Sequence, residues 1–346
     1  MALASKCLAL ALAAALASCA GARREAIAPA PIGDDAVALL ARAEKELAGG
    51  RPADAAALFE QAAALRPGED APLLGLARAR LAAADVPAGL GAADRALARR
   101  ESPEGRALRG RALARQRQWD AARTDLERAL AGAPKEATGW ALLAAVQVNR
   151  GDRVEAAYAY GQAAALLPPA DAAKAVWREL RFLPPDPVQP EESLDRCTRG
   201  CTALLEGQPV EALREASNGL RFAPQFAWCS AVAAEALWRT NDTAQAERVL
   251  RSAIQKYAPA QEPLRADAKG LLAEVLSARK ETAGEAASLA REALSVRGDR
   301  VTALVALARA CEATGDVPCV RDASARILRL PHLSDALRGQ AEERVR

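Results

Sequence analysis

The sequence predicts an all-helical protein, and three observations carry that expectation. Alanine fills 90 of the 346 positions, whereas Phe, Trp and Tyr together make up only 3%. Alanine is the strongest helix former and lets backbones approach closely, while a sheet needs the aromatic and β-branched residues that are scarce here. Small residues and prolines recur at a period near 34 along most of the chain. The charge is balanced: 47 Lys+Arg against 44 Asp+Glu give a formal +3, with 51% of residues apolar. Such a chain is too apolar for disorder and too neutral for a nucleic-acid binder. Of the basic residues 40 are Arg and 7 are Lys, a bias that fits a GC-rich genome rather than a function.

The chain begins MALASKCLALALAAALASCAG, with Lys6 ahead of a Leu/Ala run from Cys7 to Ala17. That run is too short for a mature membrane span and has the layout of a secretory signal. Leu16-Ala17-Ser18-Cys19 resembles the lipobox of bacterial lipoproteins at all four positions. The resemblance implies cleavage before Cys19 and acylation of that residue. Several acyl chains, at about 0.8 kcal/mol per buried CH₂, make a lasting anchor. Ala20 follows rather than the Asp that holds many such lipoproteins in the inner membrane, so the periplasmic face of the outer membrane is the expected location. Residues 1–18 are read as the signal peptide, and 19–33 as the lipidated N-terminus and a tether containing Pro29 and Pro31.

From Trp140 the chain reads WALLAAVQVNRGDRVEAAYAYGQAAALLP. Trp140, Leu143, Ala144, Gly151-Asp152, Ala156, Tyr160, Ala163 and Pro168 resemble the landmarks of the tetratricopeptide repeat. A small residue recurs at Ala55, Gly89, Ala122 and Ala156, and again at Ala212 and Ala246. Prolines punctuate at Pro67, Pro134, Pro168, Pro224, Pro259 and Pro331; turn residues stand at Gly50, Gly151, Gly207, Asn241 and Gly315. A helix pair of this length cannot bury its apolar face alone, so neighbours stack and share a core. Close crossing demands Ala or Gly, and the turn a residue tolerant of positive φ. The family implies a right-handed superhelical solenoid of antiparallel helix pairs. About four repeats are expected over 34–168 and four over 193–346, where a C-terminal tail follows them. Extra residues around Pro259–Lys269 and missing closing prolines blur the boundaries.

Between Ala156 and Ala212 the period breaks, and segment 169–192 reads as one extra helix, Asp171 to Leu183, followed by PPDPVQP at 184–190. Prolines at that density end the helix and make a stiff spacer. The extra helix either covers the end of the first array or is half of a decayed repeat. The spacer suggests two lobes.

His332 is the one histidine, too few for a His-rich metal site and too distant to serve as base for a Cys. No Walker loop, GxSxG or paired-carboxylate motif is present, so neither an enzyme, a metal nor a cofactor is expected. Five cysteines follow Cys19, namely Cys197, Cys201, Cys229, Cys311 and Cys319. An oxidising periplasm permits disulfides. Cys311 and Cys319 flank a helix–helix turn and could staple it. Cys197 and Cys201 share a helix face, and one of them, with Cys201 the named candidate, would bond Cys229.

The resemblance implies that the first helices of each pair line a concave groove for a peptide or protein segment. Its groove positions fall on Arg78, Arg111, Arg115 and Asn149. Three guanidiniums on one face would hold carboxylates bidentately, or form a solvated arginine-rich face. The lysines and asparagines of the chaperone-binding carboxylate clamp are absent. In the second array Trp228 and Trp238 are groove candidates or core, while Trp119 and Trp140 match packing positions. The expected function is a lipid-anchored scaffold for an envelope protein or peptide. The rival from another class is a peptidoglycan- or glycan-binding protein, which would need exposed aromatic platforms.

Overall fold

A computed structural model describes residues 32–182, 190–330, 333 and 335–346 of the chain. Residues 1–31 with Cys19, the spacer at 183–189 and His332 lie outside the described residues, and the last two positions expected in the tether belong to the first helix. Among those described there are eighteen α-helices and no strand.

Four helix pairs come first: α1 (Ile32–Ala48) with α2 (Pro52–Leu65), α3 (Ala71–Ala82) with α4 (Val86–Arg99), α5 (Pro103–Arg115) with α6 (Trp119–Gly132), and α7 (Ala137–Arg150) with α8 (Arg153–Leu166). A single helix, α9 (Pro169–Phe182), stands where an extra helix was expected. Four more pairs follow: α10 (Glu191–Leu205) with α11 (Pro209–Phe222), α12 (Ala227–Arg239) with α13 (Thr243–Lys256), α14 (Glu262–Ser277) with α15 (Ala283–Val296), and α16 (Val301–Thr314) with α17 (Val317–Leu328). The last helix, α18 (Asp335–Val345), packs on α17.

The helix pairs cross where the period placed its small residues. Ala55, Ala122, Ala156, Ala212 and Ala246 are fully buried. At Gly89 an added Cβ would come within 2.8 Å of Leu81 Cγ. Seven of the eight pairs turn through a left-handed residue: Gly50, Gly151, Gly207, Asn241 and Gly315 as expected, together with Ala84 and Arg117. The pair α14–α15 turns instead through a short 3₁₀ helix at Lys280–Thr282. Side chains close several helix starts. Asp85 accepts from the amide of Ala88, Ser102 from Gly105, Asp242 from Gln245 and Asp316 from Cys319. Each supplies an acceptor for an amide that has no partner within the helix.

Neighbouring repeats are tied by the same period. Arg78 meets Glu44, and Arg251 meets Glu285, each 34 positions apart. Helix α9 packs against α7, α8 and α10, and its Ala172, Val176 and Leu180 are fully buried. One apolar core thereby runs from Leu113 through α9 to Ala341, and a smaller one spans Ala43 to Ala112. The arrays also fold back on each other, α7 onto α14 and α8 onto α16.

Candidate partner-binding cavity

The first-array candidates are engaged within the chain. Arg78 pairs with Glu44 at 2.5 Å and lies 3.5 Å from Glu104. Arg111 donates to Glu179 of α9 at 3.0 Å. Arg115 donates to the carbonyl of Leu81, one repeat earlier; burial, reinforced by the neighbouring Arg111 charge, pulls its pKa below the usual guanidinium value. Asn149 is buried and donates to the Ala145 carbonyl of its own helix at 3.0 Å. The expectation of an open three-arginine face with Asn149 beside it is therefore corrected. Repeat spacing locates a helix position but not the acceptor facing it. The missed signal lay in the same period, which sets Glu44 and Leu81 opposite Arg78 and Arg115. Arg78 and Arg111 still border a cavity of about 510 Å³ with Leu108, Leu130 and Leu142.

The second-array candidates separate. Trp228 is buried, its ring 5.8 Å from that of Phe226, so its place as a groove residue is corrected to core. Trp238, one long side of a helix away, lines a second cavity of about 540 Å³. The walls of this cavity come from four helices: Val154, Ala157 and Tyr158 of α8, Glu235, Trp238 and Arg239 of α12, Leu271 and Glu274 of α14, and Thr302 of α16, with Leu333 beyond. Its polar side chains are organised. Arg239 pairs with buried Glu235 at 2.5 Å and donates to the Leu204 carbonyl at 2.7 Å. Glu274 lies 3.4 Å from Arg309. Tyr158 stacks edge-on against Trp140 at 6.0 Å. Trp140 and Trp119 are half-buried against the core, and the Trp140 indole donates to the Pro134 carbonyl. The surface thus offered is apolar and aromatic with its charges already paired, which suits a bulky apolar side chain of a peptide better than a carboxylate.

Beside the cavity lies a contact that local reading could not foresee. The turn Gly151–Asp152 before α8 meets the segment 297–300 before α16. Arg297 pairs with Asp152 at 3.1 Å, and Arg300 donates to the Gly151 carbonyl at 3.1 Å and to the Pro263 carbonyl at 2.7 Å. Arg123 lies 3.6 Å from Asp299, and Arg150 pairs with Asp120 at 2.7 Å. Burial pushes the carboxyl of Asp152 above its usual range despite Arg297 and Arg150. Burial first, and Asp152 second, push Glu155 up to about 7.

Two disulfides are formed. Cys311 joins Cys319 across the α16–α17 turn, with Cα atoms 5.9 Å apart. Cys229 joins Cys197, with Cα atoms 5.2 Å apart. Cys201 is buried outside both bonds, which corrects its candidacy as the partner of Cys229. Gly219 explains the choice: an added Cβ there would sit 2.6 Å from Cys197 Sγ and 3.2 Å from Cys229 Sγ, so the missing side chain makes room for this bond. Cys311, Asp316 and Cys319 also cluster as metal-ligand types. A thiolate, not a disulfide sulfur, binds metal, so the bond spends that cluster structurally.

Eight stacked helix pairs, six of them with Ala or Gly at the crossing, form a helical solenoid of the tetratricopeptide type. The tetratricopeptide repeat family profile matches residues 107–175 and 232–297 of this chain. No curated protein sequence matches it. Solved structures similar to it include the tetratricopeptide domain of P58(IPK), at 17% identity over 90% of this chain and 97% of that one, with a TM-score of 0.31. A tetratricopeptide repeat protein from Parabacteroides merdae is 12% identical over 80% of this chain and 99% of that one, with a TM-score of 0.39. YrrB, described as having an unusual peptide-binding site, is 15% identical over 69% and 94%, with a TM-score of 0.30. Tetratricopeptide domains bind peptides or proteins and typically act as non-catalytic scaffolds. No described helix is long and apolar enough to cross a membrane.

Proposed function

We propose that this protein is a lipid-anchored periplasmic scaffold that holds an apolar peptide segment of an envelope protein in the cavity between α8, α12, α14 and α16. The observation that carries the reading is the cavity itself, about 540 Å³ with Trp238 and Tyr158 in its wall. A space of that size takes a few side chains, and a half-buried Trp beside it is the type of residue that dominates binding energy. The lipobox-like stretch Leu16–Cys19 supports the anchor, and two disulfides support an oxidising compartment. The glycan-binding rival loses one of its two aromatic platforms, because Trp228 is core.

The test is in-cell crosslinking from a photoreactive residue placed at Leu271 or Thr302. Capture of one envelope protein, lost in Trp238→Ala, is the expected outcome. Capture unaffected by Trp238→Ala, or pelleting with purified cell-wall sacculi in place of any protein capture, would overturn it. The anchor is tested separately by fatty-acid labelling, which Cys19→Ala should abolish.

A further inference from the structure

We propose that the 297–300 segment and the Gly151–Asp152 turn form a releasable latch that governs entry to the cavity. This deepens the reading above, since it assigns a control to the same site, but the latch itself is defined without reference to any partner.

Position makes the first argument. Val154 and Thr302 line the cavity, and each follows its latch residue, Asp152 or Arg300, by two positions. The first turns of α8 and α16 are thus both cavity wall and latch. Separating Asp152 from Arg297 and Gly151 from Arg300 moves those two walls apart, with α7–α14 and α8–α16 as the other places where these ends of the arrays touch.

Composition makes the second. The joint is polar and incompletely satisfied. Arg297 Nε and Nη1 and Asp299 Oδ1 are buried without a hydrogen bond, although Arg297 Nε lies 2.8 Å from Asp299 Oδ1. At that spot the charges attract but their geometry does not make a hydrogen bond. Buried polar groups left in this state favour any arrangement that returns them to water. Like charges crowd one another too: Arg123 and Arg297 act on Arg150, Asp299 on Asp152, and Asp152 and Glu127 on Glu155. Apolar burial elsewhere in the solenoid has no such built-in opposition.

The closed state is nonetheless specific. At Gly151 an added Cβ would lie 2.5 Å from Asp267 Cβ and 2.6 Å from Arg300 Nη1, so the turn can seat only as glycine. Close fit with unsatisfied polar groups is the character of a joint with two states, seated or released, rather than of a graded contact.

The test uses the full-length chain carrying Thr302→Cys, with maleimide labelling at that position as the probe of opening. Adding Arg297→Asp should raise the labelling rate about a hundredfold or more, the size of effect that one unpaired buried charge supplies. Adding Asp152→Arg to that variant should bring the rate back toward the parent's, because the pair is re-formed with its charges exchanged. Amide exchange should rise together in 154–158 and 301–304 while α3 keeps its protection. Should Arg297→Asp fail to fold, Arg297→Gln is read in its place and must still raise the rate. An unchanged rate, no recovery in the exchanged pair, or equal loss of protection in every repeat would each sink the latch. Failure of the partner reading is distinguishable, since labelling and exchange need no partner.

Discussion

Arg300 donates to the carbonyl of Gly151 at 3.1 Å, across 149 positions of sequence. The same guanidinium reaches the Pro263 carbonyl and lies 3.9 Å from Asp267, and only 3% of the side chain is exposed. One residue therefore ties its own segment to two others that are remote in the chain, the Gly151 turn and α14. Arg300→Met keeps most of the volume and removes every one of these contacts. Loss of about 3 kcal/mol is expected from breaking such a buried set, read as a lower urea midpoint. A midpoint within experimental error of the wild type would show that the closure is energetically idle.

Glu155 links the joint to pH. Its carboxyl is raised from 4.5 to about 7 in the folded protein, so the folded state holds the proton more tightly than the unfolded chain. The contribution of protonation is present below about 4.5 and is lost as pH rises through about 7. Asp152 is shifted in the same direction, whereas Asp125 and Glu247, held down by their arginines, change only below the ordinary carboxylate range. The thermal midpoint should therefore be higher at pH 5 than at pH 8. Glu155→Gln should flatten that slope and raise the midpoint at pH 8; an equally steep slope in the variant would count against it.

Gly75 lies under the ring of Phe59. A Cβ there would fall 2.2 Å from Phe59 Cε1, and Phe59 is almost fully buried. Gly75→Ala should destabilise by about 1–3 kcal/mol through overpacking, even though alanine is the better helix former. Calorimetry showing a gain in stability would mean the ring can swing aside.

The two disulfides should differ in worth. In the chain-entropy estimate, closing the Cys311–Cys319 separation of 8 gives about 2.5 kcal/mol, and the Cys197–Cys229 separation of 32 about 3.7 kcal/mol. Cys229→Ser should lower the urea midpoint more than Cys319→Ser. Cys201→Ser should leave both disulfides intact in non-reducing peptide maps; a new Cys229 thiol in that variant would reassign the pairing.

Features set by local chemistry were readable from the residues alone. The small residues at crossings and the turns at Gly50, Gly151, Gly207, Asn241 and Gly315 follow from sterics within one helix pair. Ala84 and Arg117 adopt the same left-handed backbone without a residue type that announces it. The spacing that brought Arg78 and Arg111 to matching positions, with Arg115 one turn further on, said nothing of Glu44 and the Leu81 carbonyl, which engage Arg78 and Arg115. Trp228 and Trp238 share a helix and a residue type, and differ only in which neighbours surround them. The Asp152–Arg297 contact was illegible for a plainer reason: it depends on the curvature accumulated over every repeat between them, and no window of sequence contains that.

An open stack of repeats unzips from its ends, because each unit rests only on its neighbours. Here the chain from α7 to α16 is a hoop whose two ends hold each other. No repeat inside the hoop is terminal, so none can peel away until the clasp lets go, and then several lose support at once. The loose ends are α1 to α4 on one side and α17 with α18 on the other. A protease working on the native protein should trim those margins first and meet a resistant middle, its durability set less by any one repeat than by the lifetime of a single joint.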